Sequence, residues 1–310
     1  MTETLLQVNN LKTYLHLAGG VVKAVDGVSF NIEKGKTMGV VGESGSGKSM
    51  TASSIIRLLP PNTGKIESGN IIFDGRDVLS FTKKELLNFR GKDIAVIFQD
   101  PMSSLDPVFK VGDQMSEMIC AHQNVSAEEA RKIAVDSLRK VGIPNPENRM
   151  NSYPYELSGG MCQIVIIAMA ICKNPKLVIA DEPTTALDVT VQSQVLKLLK
   201  KMQKDLNTAI LLITHNLGVV WEMCDTVMVM YAGKTIEYAS AGELYSEPMH
   251  PYTWGLLDSM PKLSDYMKTK LTTIPGSPPD LRLTGIQKGH FVACHRQTFA
   301  ERLERGGSNQ

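Results

Sequence analysis

The sequence predicts an α/β fold: a mostly parallel sheet, an antiparallel β subdomain, an inserted helical subdomain and a short irregular C-terminal extension. Three observations predict it. A glycine-rich segment, Gly42-Glu43-Ser44-Gly45-Ser46-Gly47-Lys48-Ser49, sits between an apolar strand candidate at 37–41 and a helix candidate at 50–59. Two later runs, 177–180 and 209–213, are continuously apolar rather than alternating, as parallel strands covered on both faces are. Ahead of those runs, helical periodicity dominates at 111–122, 126–141 and 160–173.

The elements follow in order. Short β segments are expected at 5–9 and 28–32. Residues 70–73 read as a strand, and Asp74-Gly75 as its tight turn. A helix at 82–90 precedes a strand that ends at Gln99. The helical stretch is broken by Gly142-Ile143-Pro144-Asn145-Pro146. A hairpin is expected over 226–238, turning at Ala232-Gly233-Lys234. After about 240 the chain is proline-rich and reads as irregular. The expected division is residues 1–240 as one nucleotide-binding unit, with its helical subdomain at about 100–175, and 241–310 as an extension.

Composition narrows the classes of function. The 310 residues carry a formal net charge of +1, so no strong field attracts nucleic acid or an anionic lipid surface. Five cysteines are scattered without a C-x-x-C pair, which suits a reducing compartment. The longest apolar run extends only over 164–172, whereas a spanning helix needs about 20 residues. The chain is not expected to cross a membrane by itself.

The segment 42–49 fits G-x-x-x-x-G-K-[ST] at each fixed position, with a strand before it and a helix after it. This predicts a P-loop NTPase core. Its glycines let successive N–H groups turn inward toward phosphate oxygens, and the following helix adds partial positive charge. Gly42, Glu43, Ser44, Gly45, Ser46, Gly47, Lys48, Ser49 and Met50 are therefore the expected ATP-binding residues. Lys48 would reach the β- and γ-phosphates, and Ser49 would ligate Mg²⁺. The strand at 177–180 ends in Asp181-Glu182, at the end of the sheet where ligands bind. Asp181 is expected to share the metal with Ser49. Glu182 is expected to polarise the water that attacks the γ-phosphate.

In chain order, the phosphate loop, Leu157-Ser158-Gly159-Gly160-Met161, Asp181-Glu182, Ala186-Leu187-Asp188 and Thr214-His215 resemble the motif series of ATP-binding cassette ATPases. Gln99-Asp100-Pro101-Met102-Ser103-Ser104-Leu105-Asp106-Pro107 narrows the resemblance to the oligopeptide/dipeptide importers. So do Tyr153-Pro154-Tyr155-Glu156, His250-Pro251-Tyr252-Thr253, the 274–281 segment and the 292–295 segment. The resemblance implies a head-to-tail pair of cassettes, each covering the partner's ATP with Ser158, Gly159 and Gly160. It implies that His215 contacts the γ-phosphate, that Gln99 senses Mg²⁺ and the attacking water, and that Asp188 faces the partner. It implies transmembrane permease subunits, a second related ATPase or a second copy of the chain, and an extracellular solute-binding protein. The cassette would sit peripherally on the cytoplasmic face of the membrane.

Three positions depart from the family pattern. The usual adenine-stacking aromatic is replaced by Leu15, leaving Tyr14 as the substitute. Ile164 stands where arginine is usual. Residues 282–293 hold no cysteine, so Cys294 alone cannot carry an iron–sulfur cluster, and none is expected. The cargo expected from the resemblance is di- or oligopeptides, with nickel or another small solute as a variant. The competing readings are a cassette ATPase of DNA repair or chromosome organisation, and a nucleotide-sensing regulator with little turnover. The former is disfavoured by the lack of heptads and zinc motifs, the latter by the presence of Glu182.

Overall fold

The computed structural model describes residues 3–185 and 187–259. The chain begins with two long antiparallel strands, β1 (Thr4–Leu17) and β2 (Gly20–Glu33). Both run well past the segments expected from sequence. The register shifts four times along the pair, so the apolar alternation that marks a strand breaks off near Asn9 and Asn10 although the pairing continues. β3 (Thr37–Val41) is buried throughout, and the glycine loop leads from it into α1 (Lys48–Ile55). α1 stops short of the expected end. Arg57 turns to φ +53°, and the Arg90 guanidinium takes the carbonyls of Ile56 and Arg57 at 2.8 and 2.6 Å.

β4 (Gly64–Phe73) and β5 (Arg76–Asp77) flank the predicted Asp74-Gly75 turn and complete a four-stranded antiparallel sheet, ordered β2-β1-β4-β5. α2 (Lys83–Asn88) opens on a reciprocal cap between Thr82 and Glu85 and runs into a wide turn over 89–93. β6 (Ile94–Ile97) follows.

The middle of the chain is helical: α3 (Pro101–Ser104), α4 (Val111–His122), α5 (Ala127–Lys140), α6 (Pro146–Arg149) and α7 (Gly159–Ile171). α7 is apolar on nearly all sides, which marks a helix enclosed by its neighbours. Ile164 is buried in that core.

β7 (Leu177–Asp181), α8 (Val189–Leu206), β8 (Ala209–Ile213), α9 (Leu217–Met223), β9 (Thr226–Tyr231) and β10 (Lys234–Ser240) complete a six-stranded sheet. Its order is β10-β9-β3-β8-β7-β6, parallel except for β10. The two-residue alternation of strands explains the continuous apolar runs. Leu177, Ile179, Ala209 and Leu211 pack toward the antiparallel sheet and α1. Val178, Ala180, Ile210 and Leu212 pack toward the helices. The β9–β10 hairpin turns through Ala232 and Gly233, both at positive φ, as the compact hairpin turn requires.

Beyond residue 240 the described chain is more regular than expected. α10 (Ala241–Ser246) starts on a Ser240–Glu243 capping box, and α11 (Pro251–Asp258) has His250 as its cap and Pro251 in its first turn. The 274–281 and 292–295 segments and Cys294, with the expectation of no iron–sulfur cluster, lie outside the described residues.

Candidate functional site

β3 is the central support of the site. It delivers the chain at Val41 into a loop whose backbone only glycine tolerates at its tightest points. Gly47 adopts φ +101°, and a Cβ there would lie 2.2 Å from the Ala24 carbonyl oxygen. A Cβ on Gly42 would meet the Met230 carbonyl oxygen at the same distance. The loop is thus pressed between β2 and the end of β9.

Lys48, the first residue of α1, folds back into this loop. Its ammonium donates to the carbonyls of Gly42 and Glu43, both at 2.8 Å, and the residue is only 6% exposed. Burial lowers its pKa, opposed by the charges of Glu182, Asp181 and Glu43. The Ser46 hydroxyl is buried without a hydrogen-bond partner among the described residues.

Asp181 ends β7 and lies close enough to feel Lys48. Its Oδ1 is likewise buried without a partner. Burial pushes its carboxyl pKa up; a hydrogen bond from the Ser49 side chain pulls the other way, and the Glu182 charge adds to the rise. Buried polar atoms are seldom left unpaired. An unsatisfied carboxylate oxygen beside a serine hydroxyl is the donor chemistry of a hard divalent cation, and an unsatisfied hydroxyl inside an amide-lined loop suits an anion.

Glu182 occupies the left-handed region at φ +48°, a conformation that costs a non-glycine residue about 1 kcal/mol or more. Its N–H is held by the Ile213 carbonyl at 2.8 Å. Three side chains converge on its Oε2: the Gln99 amide at 3.2 Å, the Thr185 hydroxyl at 2.8 Å and His215 Nδ1 at 3.3 Å. Residues 83 and 33 positions away in sequence therefore meet at one carboxylate oxygen. Thr185 was not singled out in the sequence. Its place three residues after Glu182 is the only signal that could have marked it.

Ser158 is the N-cap of α7, its hydroxyl accepting from the Met161 N–H at 3.2 Å. It is exposed, and a Cβ on Gly159 would meet nothing within 4 Å. No hydrogen bond or ion pair among the described residues ties Ser158, Gly159 or Gly160 to the loop. α7 is linked to the carboxylate end of β7 by Gln163, whose buried amide donates to the Pro183 carbonyl at 2.9 Å. Asp188 is the exposed N-cap of α8.

Tyr14 is held by residues of β2. Strand alternation turns Thr13 toward α1, where its hydroxyl meets Ser54 at 2.8 Å, and puts Tyr14 on the opposite face. There its hydroxyl donates to Asp26 at 2.8 Å, and the Lys23 ammonium lies over its ring. Burial and the Asp26 bond raise its pKa to about 12. Leu15 shares the Thr13 face.

A cavity of about 520 Å³ lies elsewhere, between the wide turn at 89–93 and the ends of α4, α5 and α7, lined by His122, Asp136, Lys140 and Lys173 among others. It contains none of the residues above. Among the described residues, no helix is long and apolar enough to cross a membrane.

Comparisons with known proteins fit this geometry. The family model described as "ABC transporter" matches residues 25–185, and "Oligopeptide/dipeptide transporter, C-terminal region" matches 236–295. The oligopeptide transport ATP-binding protein OppD of Bacillus subtilis (strain 168) is 50% identical over 97% of this chain and 83% of its own length. The dipeptide transport ATP-binding protein DppD of the same organism is 48% identical over 90% and 82%. Among solved structures, the dimeric post-hydrolysis state of the ATP-binding cassette MJ0796 bound to ADP and Pi superposes with a TM-score of 0.68. It is 26% identical and covers 76% of this chain and 98% of its own.

Proposed function

The chain belongs to the ATP-binding cassette transporter family, and from that membership we propose that it is the ATP-hydrolysing subunit of an importer of di- or oligopeptides. The observation that carries the assignment of the chemistry is the convergence of Gln99, Thr185 and His215 on Glu182 Oε2, beside the phosphate loop.

The residues divide the work. Lys48 and the N–H groups of residues 44–49 hold the β- and γ-phosphates, the Lys48 ammonium exchanging loop carbonyls for phosphate oxygens. Ser49 and Asp181 would hold Mg²⁺, with Gln99 near it; that ion supplies charge neutralisation at the phosphates. Glu182 orients water and takes its proton as the new P–O bond forms and the β–γ bridge breaks. His215 steadies Glu182 and the terminal phosphate. The strained backbone at Glu182 fixes the carboxylate relative to β7, so little reorganisation is needed when charge develops.

The second half of the site comes from another cassette. Ser158, Gly159 and Gly160 present the start of a long helix to solvent, where they can meet the γ-phosphate held by a partner. The partner is a related ATPase or a second copy, arranged head to tail. Phe98, Met102, Val108 and Phe109, all in the stretch from Gln99 to the start of α4 or next to it, expose apolar side chains suited to receiving a segment of a transmembrane permease. The cassette then lies on the cytoplasmic face of the membrane, and peptide selectivity resides in the permease and an extracellular solute-binding protein.

The test is phosphate release by purified chain. Glu182→Gln keeps size and backbone but removes the base, and turnover is expected to fall about 10²- to 10³-fold. Wild-type turnover in that variant would overturn the assignment of Glu182.

A further inference from the structure

The loop amides face two ways. The Ser46 N–H turns back onto the Glu43 carbonyl at 3.2 Å, whereas the Glu43 N–H points outward and is taken by the Tyr252 hydroxyl at 3.0 Å. Tyr252 lies 209 positions away, in the first turn of α11, and is 1% exposed. Its ring rests against Tyr231 at the end of β9, with centroids 4.7 Å apart. The start of α11 is itself gathered by one carboxylate. Glu237, on β10, accepts from the N–H groups of Met249 and His250 at 2.7 and 3.0 Å and from the Thr253 hydroxyl. The same Glu43 residue whose N–H meets Tyr252 offers its carbonyl to the Lys48 ammonium at 2.8 Å. A continuous path therefore runs from β10 through α11 to the lysine of the loop.

We propose that Tyr252 is a positioning residue for the phosphate loop, and that the segment after residue 240 sets ATP affinity through it. The inference rests on the reading of 42–49 as the ATP site. A buried N–H without an acceptor is costly, so the hydroxyl fixes the orientation of the peptide that enters Glu43. That orientation sets where the next carbonyl stands and where Lys48 is held before nucleotide arrives. Without the hydroxyl, the loop must be ordered by the nucleotide itself, and the ordering cost is taken from binding. Burial pushes the Tyr252 phenol pKa up, so the group stays protonated at physiological pH and the contact is not a pH switch.

The experiment uses the full chain and measures ATP affinity, kcat and thermal midpoint together. Tyr252→Phe keeps the ring against Tyr231 and removes only the oxygen. Its ATP Kd is expected to rise about 3- to 10-fold, the scale of one hydrogen bond, with kcat at saturation within about 2-fold. Hydrogen exchange of the peptide carrying Glu43 is expected to quicken. Glu237→Gln keeps Tyr252 but loosens α11, and is expected to shift Kd in the same direction by less. Thr208→Val is the control. It removes a buried hydrogen bond, Thr208 to the Pro175 carbonyl at 2.9 Å, at the opposite end of the sheet. It is expected to lower the thermal midpoint and leave Kd unchanged. Wild-type affinity in Tyr252→Phe, or an equal affinity loss in Thr208→Val, overturns the proposal. Failure of the wild-type chain to bind ATP overturns the reading of the loop, and this inference with it.

Discussion

Around the phosphate loop, polar atoms are buried and joined across long stretches of sequence, whereas at the start of α7 they are exposed and satisfied locally. Lys48, Ser46 and Asp181 lie inside, two of them with orphaned oxygens, and Glu182 gathers partners from two other segments as well as its own loop. Ser158 bonds only into its own helical turn, and Gly159 faces open space. The first region is preorganised, at a cost in strain and desolvation, for a ligand the chain itself binds. The second bears no such cost and can act only on something brought to it. The contrast supports the divided site proposed above.

Three substitutions sharpen that contrast, beginning with the largest effect. Lys48→Ala removes the ammonium that spans the loop and is expected to weaken ATP binding about 10- to 100-fold, the worth of charge-assisted hydrogen bonds. Calorimetric titration at low protein concentration checks it, and unchanged affinity would break the account of the loop half. Asp181→Asn should separate stability from activity. Because burial raises the folded-state pKa of Asp181, its ionised form opposes folding at neutral pH. That penalty is full above the folded pKa and disappears as pH falls through it toward the unfolded value. The asparagine variant without nucleotide is expected to be more stable at pH 7 by roughly 0.5–2 kcal/mol, with the gain shrinking in acid, while Mg²⁺-dependent turnover is lost. Denaturation at pH 7 and in acid decides it. Ser158→Ala is expected to cost about 1 kcal/mol of stability through the lost cap, leave ATP affinity at high dilution unchanged, and lower the rise of specific activity with protein concentration. A loss of affinity at high dilution would mean that α7 serves its own loop after all.

Legibility in the sequence follows the same division. The loop was legible because its chemistry demands fixed residues at fixed spacing, and β3, β7 and β8 because strands buried on both faces leave no polar gap. The long β1–β2 pairing was not, since bulges interrupt its alternation after Val8. Tyr14 was chosen by proximity in sequence, which carries no information on the Asp26 bond and the Lys23 contact that the fold gives it. α10 carried a readable start, Ser240 with Glu243 three residues on, but the prolines nearby argued for irregular chain. Pro251 in fact opens a helix. Nothing at position 252 announces a contact with residue 43; only the folded path of β10 and α11 brings them together.

The Gln163–Pro183 hydrogen bond has a consequence for any paired form of this protein. In the paired form proposed above, one amide would join the helix offered to a neighbour's nucleotide to the carbonyl of Pro183, the residue after Glu182. Occupancy of one compartment is then expected to be felt in the other, and the expected rate against ATP is sigmoidal. A chain with Gln163→Leu would fire its two compartments separately, with a hyperbolic curve.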